Sequence, residues 1–177
     1  MTLENAQGVR SLIVAEYPKL CNENVVCVTV ILGGCRVGLV SVYLEGTEDI
    51  EPYLLQIQRA VQGMDTTRVI LAGDVNAKSI WWGEREEDHR GTAYVELLAQ
   101  LDMAVLNVGK TPTFSAFRNN KAYESIVDVT ACTSVLLPRI AKWHVDTNLV
   151  NTSDYRAITF EIHTETSSEG IPRQTTR

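Results

Sequence analysis

The sequence predicts an α/β layered fold. Three observations carry that prediction: short apolar runs rich in β-branched residues, two segments with helical spacing, and the alternation of the two along the chain. At 177 residues the chain has the size of one domain with a substantial core. Residues 1–164 read as that domain, and residues 165–177, polar and without period, read as a tail or linker.

The elements follow in order. "NVVCVTVILGG" is a β-branched strand closed by Gly33-Gly34, and "CRVGLVSVYLEG" is its partner, a hairpin pattern. Ahead of them lies only a short polar lead. "DIEPYLLQIQRAVQGM" places Tyr53, Leu54, Ile57, Ala60 and Val61 at helical spacing, with Pro52 in the first turn and Gly63 near the stop. "TRVILAGDVNA" is a short apolar strand running into a Gly-Asp turn. "GTAYVELLAQLDM" repeats the helical pattern through Val95, Leu98 and Leu101, with Thr92 as its cap. The remainder alternates short strands with loops: "AVLNV", "SIVDVTACT", "AKWHVD" and "YRAITFEIH".

Composition narrows the function classes. A net charge of −6 gives no basic footprint and leans against a free-standing nucleic-acid binder. Cys21, Cys27, Cys35 and Cys132 form no CxxC pair and no zinc spacing, so reduced structural cysteines in an intracellular protein are expected. The start "MTLENAQGVRSLIV" lacks the basic opening and apolar core of a signal peptide. No apolar stretch reaches the ~20 residues that span a bilayer, so no membrane partner is expected.

Three acids sit where strands end or are interrupted. In "VILAGDVNA", Gly73 lets the chain turn closely, and Asp74 and Asn76 follow at the strand's carboxyl end, where open α/β sheets collect ligands. Two residues apart in an extended stretch, they share one face and suit a hard cation and a phosphate oxygen. The same pair suits a turn whose side chains satisfy loop amides. Asp128 in "SIVDVTA" is an acid flanked by Val127 and Val129, costly to bury without a partner and unremarkable on an edge strand. Asp154 in "NTSDYR" fits a turn equally well. Together the three suit carboxylates around Mg²⁺, a setting for phosphodiester hydrolysis.

Trp81 and Trp82 suit stacking on nucleotides and suit core packing equally. The run "EREEDHR", residues 84–90, reads as a solvated face that includes His89, and His144 and His163 fit no ligand pattern. "GKTPTF" has no phosphate-loop spacing, and Pro112 reads as a turn before the next strand.

The order "GDVNA", then "SIVDVTA", then "SDY" resembles the endonuclease/exonuclease/phosphatase family, the DNase I-like fold. The narrower likeness is to the apurinic-type endonuclease domain of insect R1-type non-LTR retrotransposons. It is carried also by "VSVYLEG", "IEPYL", "GDVNAKSIWWG", "DHRG" and "TPTF", from about Arg10 to Ile162. The resemblance implies a two-sheet α/β sandwich, Mg²⁺ as cofactor, DNA as substrate, a reverse transcriptase domain in the parent element, and a nuclear setting. It implies that Asp74 and Asn76 orient the attacking water and contact the scissile phosphate. Tyr43 stands near that phosphate, and Asp128 is the carboxylate that usually bonds the terminal histidine. Asp154 is the acid of a terminal Ser-Asp-His near the metal, so Asp74 and Asp154 are the implied metal ligands; Asn76, Trp81 and Trp82 are the residues expected to bind substrate.

Two departures shape the functional expectation. The family's opening strand with its asparagine, and the next strand with its metal-binding glutamate, would lie upstream of Met1. The expected sandwich therefore lacks its first strands, exposes apolar edges and can self-associate. Tyr155 stands where the family has histidine. Tyrosine titrates near ~10 and stays neutral where histidine, near ~6.5, can carry charge. Losing such a positioned group costs roughly 10²–10⁴ in rate. The expectation is a metal-dependent DNA endonuclease domain, truncated and impaired, with Mg²⁺ weak or lost. The alternatives are a non-catalytic binding scaffold or inactive remnant of that domain, and a phosphatase of the same fold.

Overall fold

The computed structural model describes residues 14–32, 34–148 and 153–163; the expected tail, residues 165–177, and most of the polar lead lie outside them. Ten strands and two helices are described. β1 (Val14–Glu16), a strand the sequence pattern did not announce, pairs antiparallel with β2 (Val25–Leu32). β2 pairs with β3 (Cys35–Tyr43) in an unbroken register from Val25↔Val42 to Leu32↔Cys35, the hairpin expected from the sequence. α1 (Glu51–Gly63) crosses over to β4 (Val69–Asp74), which lies parallel to β3. α2 (His89–Gln100) leads into β5 (Met103–Val105), and β6 (Phe114–Arg118) and β7 (Lys121–Ser125) form a hairpin. β8 (Asp128–Thr133), β9 (Ile140–Asp146) and β10 (Ala157–Ile162) complete the order.

The main sheet runs β1-β2-β3-β4-β8-β5, and β9 and β10 form a separate antiparallel pair. Strand alternation sends its side chains to two cores. Val25, Cys27, Val40, Val42, Val69, Leu71, Val129 and Ala131 face α1 and α2, which contribute Leu54, Ile57, Ala60, Tyr94, Leu97 and Leu98. Val30, Val37, Leu39, Ile70 and Cys132 face the second sheet, where Ile140, Trp143, Phe160 and Ile162 pack against them. Helices on one face and a small sheet on the other make the α/β sandwich that the sequence predicts. The two sheets do not close completely. A cleft of about 480 Å³ lies between them, lined by Val26, Val28, Leu39, Ile158 and Phe160, with Asp128 and Arg156 also in its lining.

Two expectations need correction. Thr92 does not cap α2. The helix starts at His89, inside the charged run, and its cap is Asp88, whose carboxylate accepts the Gly91 N–H at 2.7 Å. Nor is residues 84–90 simply a solvated face. Arg90 is 5% exposed, Glu84 accepts the Ile126 N–H at 2.7 Å, and Glu87 accepts the Ser79 hydroxyl at 2.8 Å. Helical spacing identified the periodic part of α2 but not its first turn, because that turn is held by tertiary bonds. His89 is exposed, as expected.

Gly73 fixes how β4 ends. Its φ is +151°, and a Cβ there would stand 1.9 Å from the Val42 carbonyl oxygen of the neighbouring strand. Gly73→Ala is therefore expected to destabilise the fold by more than ~1 kcal/mol, read as a lower urea midpoint. Asp74, next in sequence, would shift with it.

Candidate active site

Strand register assembles the centre of the site. Tyr43 ends β3 and is the register partner of Asp74, the last residue of β4; Asp74 is in turn the partner of Asp128, the first residue of β8. One row across three adjacent strands thus holds a phenol and two carboxyls. Sequence reasoning had no means to pair them, since 31 residues separate Tyr43 from Asp74 and 54 separate Asp74 from Asp128 (74 − 43 and 128 − 74).

Asp74 is 7% exposed and fully engaged. Its Oδ1 accepts the backbone N–H of Asn76 at 3.0 Å, and its Oδ2 accepts the Tyr155 hydroxyl at 3.0 Å. Burial raises its pKa above the usual carboxylate range, and those two hydrogen bonds pull against the rise. The phenol of Tyr155 is pushed up to about 12, first by burial and then by the bond to Asp74, so it is a neutral donor. Its ring packs edge-on against Phe114, with centroids 5.2 Å apart. The segment is pinned to β6: Ser115 N–H donates to the Asp154 carbonyl at 2.8 Å and Arg156 N–H to the Thr113 carbonyl at 2.7 Å.

Asp128 is held differently. Its backbone N–H donates to the Thr113 hydroxyl at 3.0 Å, and its Oδ2 is buried without a hydrogen-bond partner. Burial pushes its carboxyl up to about 6; a Thr113 side-chain hydrogen bond opposes the rise and the charge of Asp74 adds to it. Two facing carboxyls are thereby treated differently: Asp74 has two hydrogen-bond donors, and Asp128 takes up a proton as pH falls through about 6.

The remaining expected residues divide. Asn76 is in the site but not extended: its φ is +44°, so the shared-face geometry with Asp74 does not hold. Its amide instead donates to the Leu44 carbonyl at 3.0 Å. The Asp154 carboxylate, half-exposed, turns to Arg118 at 3.4 Å in the β6–β7 hairpin; no hydrogen bond joins it to Asp74 or Asp128 among the described residues. Tyr43 is exposed and donates to Glu45 at 3.2 Å, and the hydrogen bond and charge of Glu45 hold its phenol above the usual range. The tryptophans separate on the 3₁₀ turn Ile80–Trp82. Trp81 is 63% exposed, whereas Trp82 is 1% exposed and packs edge-on against Tyr94 at 6.0 Å. A substrate contact by Trp82 is thereby corrected to a core role, because the left-handed Gly83 closes the turn over it.

Arg90 and Thr113 were not singled out by sequence reasoning. Arg90 donates to the carbonyls of Asn76 (2.9 Å), Glu48 (2.5 Å) and Glu45 (3.2 Å), tying together both loops that border the row. The strings "DHRG" and "TPTF" contain these two residues; at the following Gly91 a Cβ would lie 1.8 Å from the Lys78 carbonyl oxygen, so α2 abuts the loop after Asp74. Thr113 is fully buried and bonds the N–H groups of Val127 and Asp128.

A divalent ion is the group the resemblance implies. Among the described residues no set of three or more His, Cys, Asp or Glu side chains is gathered to hold one. Asp74 and Asp128 are two carboxyls, one shared with Tyr155 and one pushed up to about 6 by burial. By themselves they fall short of a ligand set.

Two outcomes are expected. Trp82→Ala should cost about 3–5 kcal/mol, and Trp81→Ala should stay within about 0.5 kcal/mol, both from urea midpoints. Asp128 should also make stability pH-dependent. Its folded pKa lies above the unfolded value, so its contribution is complete below the unfolded pKa and is lost as pH rises through about 6. The shift corresponds to up to about 3 kcal/mol between pH 4 and pH 8. Asp128→Asn should flatten that part of the profile.

The chain's similarities fit this geometry. A family model described as endonuclease-reverse transcriptase matches residues 37–159. Among solved structures, the endonuclease domain of TRAS1, a telomere-specific non-LTR retrotransposon, is 42% identical, with a TM-score of 0.82 over 88% of this chain and 70% of that one. The 3′-5′ exonuclease NExo from Neisseria meningitidis is 17% identical, with a TM-score of 0.60 over 85% of this chain and 70% of that one. The AP endonuclease LMAP from Leishmania major is 13% identical, with a TM-score of 0.62 over 79% and 55%. The last two share the fold alone. No curated protein sequence matches the chain.

Proposed function

Because this chain belongs to the endonuclease-reverse transcriptase family and is a nuclease domain of the non-LTR retrotransposon type, we propose that its reaction is hydrolysis of a DNA phosphodiester and that it performs this reaction feebly. Water adds to phosphorus, one P–O bond to sugar breaks, and a phosphomonoester and a hydroxyl result. Asp74 is the group proposed to orient that water, with Asn76, Tyr43 and Trp81 nearest the DNA and Asp128 and Asp154 as supporting acids. Weak Mg²⁺ affinity belongs to the same proposal. So do a reverse transcriptase domain in the parent element, a nuclear setting, and some self-association through the open sheet edges.

One observation carries the proposed impairment: the Tyr155 hydroxyl donates to Asp74 Oδ2 at 3.0 Å. A neutral phenol supplies a hydrogen bond but no positive charge for the phosphate, and it occupies an oxygen that would otherwise face water. The same bond favours the second reading, a scaffold that binds without cutting.

Nicking of supercoiled plasmid in Mg²⁺ buffer tests the proposal. The natural chain should nick slowly, Tyr155→His should be faster by about 10²-fold or more, and Asp74→Ala should abolish both. Ordinary turnover by the natural chain, lost in Asp74→Ala, would overturn the impairment. If a folded Tyr155→His variant stays inert while DNA affinity falls steeply with salt, the binding scaffold is the better reading.

A further inference from the structure

Outside the site, the structure brings two thiols together. Cys21 follows the turn that Leu20 N–H closes onto the Tyr17 carbonyl at 2.9 Å, and Cys27 lies in β2, buried against α1. The five residues between them are folded back by Asn22. Its N–H donates to the Val25 carbonyl at 2.9 Å, and its side-chain oxygen accepts the N–H groups of Asn24 (2.9 Å) and Val25 (2.8 Å). As a result the Cys21 sulfur accepts the Cys27 backbone N–H at 3.1 Å and lies 3.8 Å from the Cys27 carbonyl oxygen, while the Cys27 sulfur lies 3.9 Å from the Leu20 carbonyl oxygen. The Cys21 sulfur thus stands against the Cys27 backbone, and the Cys27 thiol interacts with the Cys21 side chain. All four cysteines are free thiols in this structure.

We propose that Cys21 and Cys27 form a dithiol–disulfide site, closed by oxidants that are themselves small disulfides. Cys21, the partly exposed member, attacks one sulfur of such a disulfide as thiolate and expels one thiolate. Cys27 then attacks the Cys21 sulfur, forming the intramolecular bond and expelling the second thiolate. The protein dithiol loses two electrons and two protons, and the small disulfide gains both as two thiols. The order follows from access and acidity: Cys27 is fully buried, and its thiol is pushed up to about 12, first by burial and then by the charge and hydrogen bonding of Cys21. External reagents therefore meet Cys21, and only Cys21 meets Cys27.

The bond would lock the Tyr17–Cys21 turn to β2. That turn seats α1: the Leu20 carbonyl accepts the Gln56 amide at 2.9 Å, and the Leu20 side chain fills the space a Cβ on Gly63 would need. Oxidation thus acts on the helix layer behind the main sheet, remote in chemistry from Asp74 and Asp128.

The test incubates the full chain with glutathione disulfide, blocks remaining thiols with N-ethylmaleimide under denaturing conditions, and maps the peptides. The expected product is two hydrogens lighter, carries label only on Cys35 and Cys132, and contains a Cys21–Cys27 crosslinked peptide. Cys35→Ser should still give the Cys21–Cys27 crosslink, with label on Cys132 alone, and Cys21→Ser should abolish the crosslink. Label on all four cysteines, a stable glutathione adduct on Cys21 with Cys27 still free, or a Cys35-linked dimer with both thiols intact would each overturn the proposal.

Discussion

Two carboxyls forced into register at the ends of neighbouring strands are the constraint from which the rest of this molecule follows. β4 and β8 pair so that Asp74 faces Asp128, and like charges at that spacing repel unless something intervenes. The protein intervenes asymmetrically. Asp74 receives two hydrogen bonds, from the Asn76 N–H and the Tyr155 hydroxyl, while burial pushes the Asp128 carboxyl up to about 6. The two environments differ, so the two carboxyls titrate differently although both are raised by burial.

Holding that pair demands unusual rigidity around it, and the molecule supplies it from outside the sheet. Arg90 gathers three carbonyls from two loops, so the chain after β3 and the chain after β4 cannot drift apart. Thr113 does the same on the other side, bonding two successive N–H groups where β8 begins. Both residues are almost wholly buried, and neither belongs to the reacting row. Gly91 and Gly73 permit these approaches, because at each a side chain would collide with a neighbouring carbonyl.

Tyr155 is where architecture and function meet. It bridges to Phe114 across an isolated antiparallel contact and reaches Asp74 from the far end of the chain. Its phenol, pushed up to about 12, supplies a hydrogen bond and no charge at neutral pH. The hydrogen bond from Tyr155 keeps Asp74 partnered inside a folded, well-packed domain.

The sequence by itself determined the local and periodic features. β-branched alternation marked β2, β3, β4 and β8, helical spacing marked the buried face of α1, and the motif strings "GDVNA", "SIVDVTA" and "SDY" marked the family. It could not supply the register that sets Tyr43, Asp74 and Asp128 in one row, because pairing between distant strands leaves no trace in spacing. Nor could it tell Trp81 from Trp82, adjacent and identical in type, since a 3₁₀ turn sends one to solvent and the other to Tyr94. Arg90 and Asp154 make the same point from opposite sides. A charge in an apparently solvated run became the most enclosed cation at the site, and an acid in the motif turned outward to Arg118. In each case tertiary partners decided the outcome, because a charged side chain goes where its hydrogen bonds are satisfied, and those partners lie far away in sequence.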